Sequence, residues 1–190
     1  MQILMPATRL IREKFVLEGY TKKIIRRLSD MREFFYDRTA VERILSHDDP
    51  IIYEVYVYER SIAEGHLSCS ITILYPGKIG KEFYMTKGHF HKKRDRAEVY
   101  IGLSGSGFIL MMDENEEAKI ARIEPDAIVY VPPYHAHRAI NTGKEPLVFL
   151  AVFPSDAGHD YDTIRKKGFP KLVIEEDGQV LIIDNDKWFT

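Results

Sequence analysis

From residue 51 onward the chain is built of short runs of β-branched and aromatic residues, broken by turn signals at close spacing. Residues 51–58 form the first run, with Glu54 interrupting it, and residues 67–74 form the second. Tyr75-Pro76-Gly77-Lys78 then punctuates the chain as a turn. Further strands are predicted over 81–86, 97–103, 107–112, 118–123, 127–131, 137–140 and 147–153. Many short strands with frequent turns predict an all-β sandwich or barrel. Near the end, Asp177-Gly178 between two apolar runs, 172–174 and 180–183, predicts a terminal hairpin. The first fifty residues differ: they are mixed and highly charged, and Asp37 is placed to cap a short helix carrying Val41, Ile44 and Leu45 on one face. Gly102, Gly105 and Gly107 are read as tight hairpin geometry. The polar stretch 155–167 is read as a loop.

Composition narrows the classes. A chain of 190 residues with 45% hydrophobic and 29% charged residues is an ordinary globular domain with an elaborated terminus. A net charge of −2 offers no global basic field for nucleic acid. The single cysteine, Cys69, lies in a predicted strand and is expected to be a packed, inert thiol in a reducing compartment. The apolar run at residues 1–6 is too short for a signal peptide, and no run of about 18 apolar residues predicts a membrane span. The expectation is a cytoplasmic protein with neither nucleic acid nor membrane as partner.

The chemistry resides in the histidines. Of seven, four form two His-x-His pairs, His89 with His91 and His135 with His137; His47 and His66 read as surface residues. On a strand, residues two apart point to one face, so His89 and His91 converge. Glu98 opens the next strand and can return beside them. Imidazole nitrogen with a carboxylate suits a borderline divalent ion, and three histidines with one glutamate leave positions open for substrate. The local pattern does not decide between His135 and His137 as the third imidazole.

These residues fit the cupin pattern. His89, His91, Glu98 and Gly105 match its first block, and Pro132, His137 and Asn141 its second, which selects His137. Asp126 and Tyr134 stand where the pattern has glycine. The longer gap between His91 and Glu98, with the stretches Thr86-Lys87-Gly88, Asp95-Arg96-Ala97, Ala136-His137-Arg138 and Asp156–Tyr161, resembles the archaeal-type cupin phosphoglucose isomerases. That resemblance implies a cupin β-barrel or jelly roll with a few short helices: an N-terminal extension over 1–50, a barrel over 51–155, and a loop and hairpin over 156–190. It implies a homodimer that interconverts glucose 6-phosphate and fructose 6-phosphate. It also implies one divalent metal per subunit, iron(II) foremost, with nickel, manganese or zinc compatible, held by His89, His91, Glu98 and His137. Tyr53, Thr72, Thr86, Gly88, Tyr100, His159 and Tyr161 fall at positions that line the sugar-phosphate pocket in the family.

Lys87 joins them on chemical grounds, as the member of the cluster Lys87, Lys92, Lys93, Arg94 and Arg96 expected to meet a phosphate, the rest being a solvated loop. Glu98 is the candidate base of a proton-transfer route through an enediol, whereas a hydride shift needs no base. Phe153 and His135 depart from the family, which has a tyrosine and a tryptophan there. Rival readings are a metal-dependent dioxygenase, an isomerase accepting another sugar phosphate, and a non-catalytic sugar-binding cupin.

Overall fold

A computed structural model describes residues 7–189. The run at residues 1–6, read above for a signal peptide, lies outside the described residues. Two short strands, β1 (Leu10–Ile11) and β2 (Val16–Leu17), pair with each other. After them, β3 (Lys22–Arg27), β4 (Ile51–Tyr58) and β5 (Leu67–Leu74) lie side by side, all antiparallel. Next come β6 (Lys78–Ile79), β7 (Glu82–Phe83), β8 (Glu98–Ser104), β9 (Gly107–Asp113), β10 (Ala118–Ile123) and β11 (Ile128–Val131). The last four are β12 (His135–Asn141), β13 (Leu147–Pro154), β14 (Lys171–Glu176) and β15 (Gln179–Asp184).

A six-stranded sheet in the order β11-β8-β13-β5-β4-β3 and a three-stranded sheet in the order β10-β9-β12 form the jelly roll. A four-stranded sheet, β15-β14-β7-β6, stands beside them. Inward side chains of both barrel sheets, such as Tyr100, Val131 and Phe149 from one and Ile109, Met111 and Ala139 from the other, merge into one buried core. Leu28, Met31, Phe35 and Val41 from the charged N-terminal stretch enter the same core. Helix α1 (Arg38–Leu45) begins where predicted: Asp37 Oδ1 accepts the Ala40 N–H at 2.8 Å. Among the described residues no helix is long and apolar enough to cross a membrane.

Some local expectations change. The predicted strand 81–86 is split between two sheets: Glu82 pairs with Ile79 and Ile174, while Met85 bridges to Ile140. Residues 162–167, read as loop, form a short helix, α2 (Asp162–Lys167), closed by Gly168 at φ 83°. The strand β3 went unpredicted. Of the three glycines assigned to one hairpin, only Gly105 has positive φ, at 71°. Gly102 and Gly107 are needed for close approach: a Cβ on either would lie 2.0 Å from a carbonyl oxygen, of Glu124 and of Ile140 respectively. Asp177 and Gly178, at φ 51° and 76°, make the expected two-residue hairpin turn between β14 and β15. Asp126 and Tyr134 keep left-handed backbone, φ 67° and 63°, at the two positions where the cupin pattern has glycine.

Candidate functional site

The stretch 85–89 runs antiparallel along β12 and fixes the two histidine pairs against each other. His89 N–H donates to His137 O at 3.2 Å, and His137 N–H returns to His89 O at 3.0 Å. That bridge sets the two imidazoles edge to face, centroids 4.5 Å apart. His91, two residues on, lies on the same side, 5.2 Å from the His137 ring. Phe90 points the opposite way and is buried beneath the Arg94 guanidinium, 4.1 Å from its ring. Glu98 enters from β8, with Oε2 3.1 Å from both His91 Nε2 and His137 Nε2.

One ligand atom from each of these four residues lies within 4.8 Å of all the others. Metal bonds of about 2.0–2.2 Å put opposed donors about 4.4 Å apart at most, so this set closes on one ion with little movement. His89 Nε2 and His137 Nε2 are buried without a hydrogen-bond partner, the contact of the latter with Glu98 being poorly aligned. Burying such atoms unsatisfied costs about 1–3 kcal/mol each. A divalent cation would satisfy both, and the mixed imidazole and carboxylate set is chemically suited to one. His91 Nδ1 lies 2.8 Å from Arg96 O, which holds the ring with Nε2 facing the site. His135 is outside the set, its Nδ1 2.8 Å from Pro133 O.

The electrostatics of these groups suit them to hold a cation. Burial raises the Glu98 carboxyl, but the His137 and His91 side chains outweigh it and bring it down to about 2, so it is ionised at neutral pH. Burial, with His137 beside it, holds His89 well below the usual imidazole range and therefore neutral. Burial also pushes the Tyr100 phenol well up, and its hydroxyl bonds to Glu98.

A cavity of about 470 Å³ opens on His89, Glu98 and His137. Its lining includes all eight predicted substrate residues: Tyr53, Thr72, Thr86, Lys87, Gly88, Tyr100, His159 and Tyr161. Thr86 Oγ1 accepts the Ala139 N–H at 3.0 Å, which leaves its own proton to donate inward. The His159 ring stacks parallel to Tyr161, 5.6 Å away, and lies 4.3 Å from His89. Burial lowers His159 to about 4, so its ring is neutral. Phe153 contributes its edge, 6.5 Å from His159.

Apart from Lys87, the basic cluster is not aimed at the cavity: Lys92 and Lys93 are exposed, as expected of a solvated loop, while Arg94 and Arg96 are half-buried in ion pairs. Arg96 forks onto Asp156 at 3.1 and 2.9 Å, Lys93 adds a 2.6 Å contact to the same carboxylate, and Arg94 takes Asp160 at 2.7 Å. These pairs fasten the 156–161 loop, and hence His159 and Tyr161, to the segment that follows the ligands. Lys87 is the member that faces the cavity, with Nζ 5.1 Å above the Phe34 ring. Arg26 of β3 also lines the cavity and was missed, because 22–27 reads as a solvated charged stretch. Lys22, Ile24 and Arg26 share one strand face, and all three line the cavity, but the doubled pattern Lys-Lys-Ile-Ile-Arg-Arg gives no alternation to signal it.

A model of the glucose-6-phosphate isomerase family matches residues 25–188. The chain belongs to the glucose-6-phosphate isomerase family. It is 54% identical over 176 residues to the glucose-6-phosphate isomerase of Pyrococcus horikoshii, with 93% of each chain covered. With the Pyrococcus furiosus isomerase it shares 53% identity over 176 residues, again 93% of each. A more distant family member, the isomerase of Sinorhizobium medicae, is 36% identical over 166 residues, 86% of this chain and 78% of that one. Among solved structures, oxalate decarboxylase of Bacillus subtilis overlaps 60% of this chain and 29% of its own, with TM-score 0.45 and 22% identity. Membership of the isomerase family rests on the sequence relatives.

Proposed function

We propose that this chain is a metal-dependent isomerase that interconverts glucose 6-phosphate and fructose 6-phosphate. His89, His91, Glu98 and His137 would hold one divalent ion, iron(II) in the first instance, with nickel, manganese and zinc compatible with the donor set. The observation that carries the reading is the meeting, in one cavity, of this buried donor set with the Thr86-Lys87-Gly88 wall in a chain of this family. Residues 1–190 act as one cupin unit, paired as a homodimer in the cytoplasm.

The substrate is oriented by its phosphate, which sits at the Tyr53, Thr72, Thr86, Lys87 and Gly88 end of the cavity. This leaves C1 and C2 at Glu98. The bound ion supplies Lewis-acid polarisation of the substrate oxygens at C1 and C2. Glu98, ionised and held by the Tyr100 hydroxyl, takes the proton from C2 of the aldose and returns it to C1, while the O2 hydroxyl proton passes to O1, giving the ketose. A positioned base of this kind contributes about 10²–10⁴-fold. Neutral His159 and Tyr161, stacked in parallel, wall the reacting end of the cavity.

The test is a coupled assay with fructose 6-phosphate supplied and glucose 6-phosphate detected, with and without a chelator. Turnover that the chelator abolishes and added Fe²⁺, Mn²⁺, Ni²⁺ or Zn²⁺ restores supports the reading. No turnover with any of the four ions contradicts it.

A further inference from the structure

Three residues of the edge strand β3 face the cavity, and its register on β4 orders them along one wall: Lys22 opposite Val57, Ile24 opposite Val55, and Arg26 opposite Tyr53. Arg26 therefore stands at the same end as Tyr53, while Lys22 lies toward the other. Lys87 and Gly88 belong to the Tyr53 end as well. The Lys87 backbone N–H and the Arg26 side chain both bond to the Tyr53 hydroxyl, although burial dominates and drives that phenol up. Among the described residues, no carboxylate pairs with Arg26 or with Lys87. Three acidic residues line the cavity: Asp156 is clamped by Arg96 and Lys93, Glu98 faces the histidines, and Glu59 follows Val57 at the Lys22 end. Two cations without an ion-pair partner thus share one polar end of the cavity. Burial first, and then the charge of Arg26, lower the Lys87 ammonium, and the carboxylates of Asp30 and Glu33 offset this only in part.

We infer that Arg26 is the second cation of the phosphate-binding end and selects a dianionic group there. The inference rests on the proposed isomerase reading and adds to it a residue from the edge strand of the six-stranded sheet. A phosphate monoester carries about −1.5 to −2 charges at pH 7, which matches Arg26 and Lys87 together. The planar guanidinium adds a paired-donor geometry that an ammonium lacks. Tyr53, whose oxygen is already occupied by two donors, is left with its own proton to offer the same anion.

Arg26→Gln and Arg26→Lys test this, with Arg27→Gln as control, since Arg27 points outward and donates to Asp49 O at 2.8 Å. Loss of a charge-assisted contact is expected to raise KM for fructose 6-phosphate about tenfold or more in Arg26→Gln, with kcat and metal content little changed. Competitive inhibition by inorganic phosphate weakens in parallel, Arg26→Lys falls between, and Arg27→Gln matches the wild type. In the unmodified protein, inorganic phosphate should protect Arg26 from an arginine-directed dicarbonyl reagent, as mapped by mass spectrometry, a readout that needs no variant to fold. An unchanged KM in a folded, active Arg26→Gln, a fall in kcat alone, or equal labelling of Arg26 with and without phosphate overturns the inference. A wild type with no turnover overturns the isomerase reading instead.

Discussion

Replacing Gly88 with alanine tests the wall next to the donor set. Gly88 has φ 72°, a conformation that costs an L-residue about 1–2 kcal/mol. It is also closed in: a Cβ there would lie 2.8 Å from Phe169 Cε2, 3.0 Å from Arg138 Cβ and 3.1 Å from Arg138 Nε. Neither neighbour yields easily. Phe169 is a buried core side chain, and the buried Arg138 packs its guanidinium 4.5 Å above that ring while donating to Lys87 O at 2.7 Å. Overpacking of this kind adds about 1–3 kcal/mol. The total, about 2–5 kcal/mol, lowers Tm by about 4–20 °C for a chain of this size. Gly178→Ala is the control. Its φ is 76° but nothing lies within 4 Å of its added Cβ, so only the backbone cost applies, about 2–8 °C. Thermal unfolding of both variants in excess chelator removes any stabilisation by bound metal. Because Gly88 precedes His89 and Arg138 follows His137, Gly88→Ala should also raise KM and weaken metal retention. A Gly88→Ala variant no less stable than Gly178→Ala, with unchanged KM, refutes the reasoning.

Three further outcomes follow from the same geometry. His137→Ala should lose metal and activity, whereas His135→Ala keeps the metal; elemental analysis with the reverse result would show that the wrong imidazole was assigned. If Glu98 carries the proton, the C2 hydrogen of glucose 6-phosphate exchanges with solvent deuterium during turnover, and complete retention removes Glu98 from that role. Glu82 accepts the Tyr36 N–H at 2.8 Å, and burial pushes its carboxyl from 4.5 up to about 7. A carboxyl raised by folding binds its proton more tightly in the native state, so stability is greatest below about 4.5 and declines as pH rises through about 7. At about 1.36 kcal/mol per pH unit the ionised form costs about 3 kcal/mol. Glu82→Gln should therefore gain on the wild type in Tm at pH 8 relative to pH 5, and an identical difference at the two pH values contradicts this.

Local pattern was informative where one face of a strand meets the core. Residues 51–58 and 67–74 are strands to the residue, and the Asp37 cap and the Asp177-Gly178 turn form as their chemistry dictates. Long-range geometry was hidden. His135 and His137 share a strand face, and only the bridge between His89 and His137, 48 residues apart in sequence, brings the second of them to the site. Gly102 and Gly107 look like turn glycines, yet each makes room for a carbonyl from a distant strand or turn. Arg26 resembles solvated charge because a strand with one face in water and one in a polar cavity carries no apolar alternation. Lys93, Arg94 and Arg96 read as a solvated loop because their carboxylate partners, Asp156 and Asp160, lie some sixty residues on.

Metal titration of the stripped protein addresses the central claim most directly. Protein freed of metal by chelation and then supplied stepwise with Fe²⁺ should gain fructose 6-phosphate isomerase activity in proportion to added metal and saturate at about one ion per chain. Full activity in the stripped protein, or saturating metal without turnover, would contradict the account.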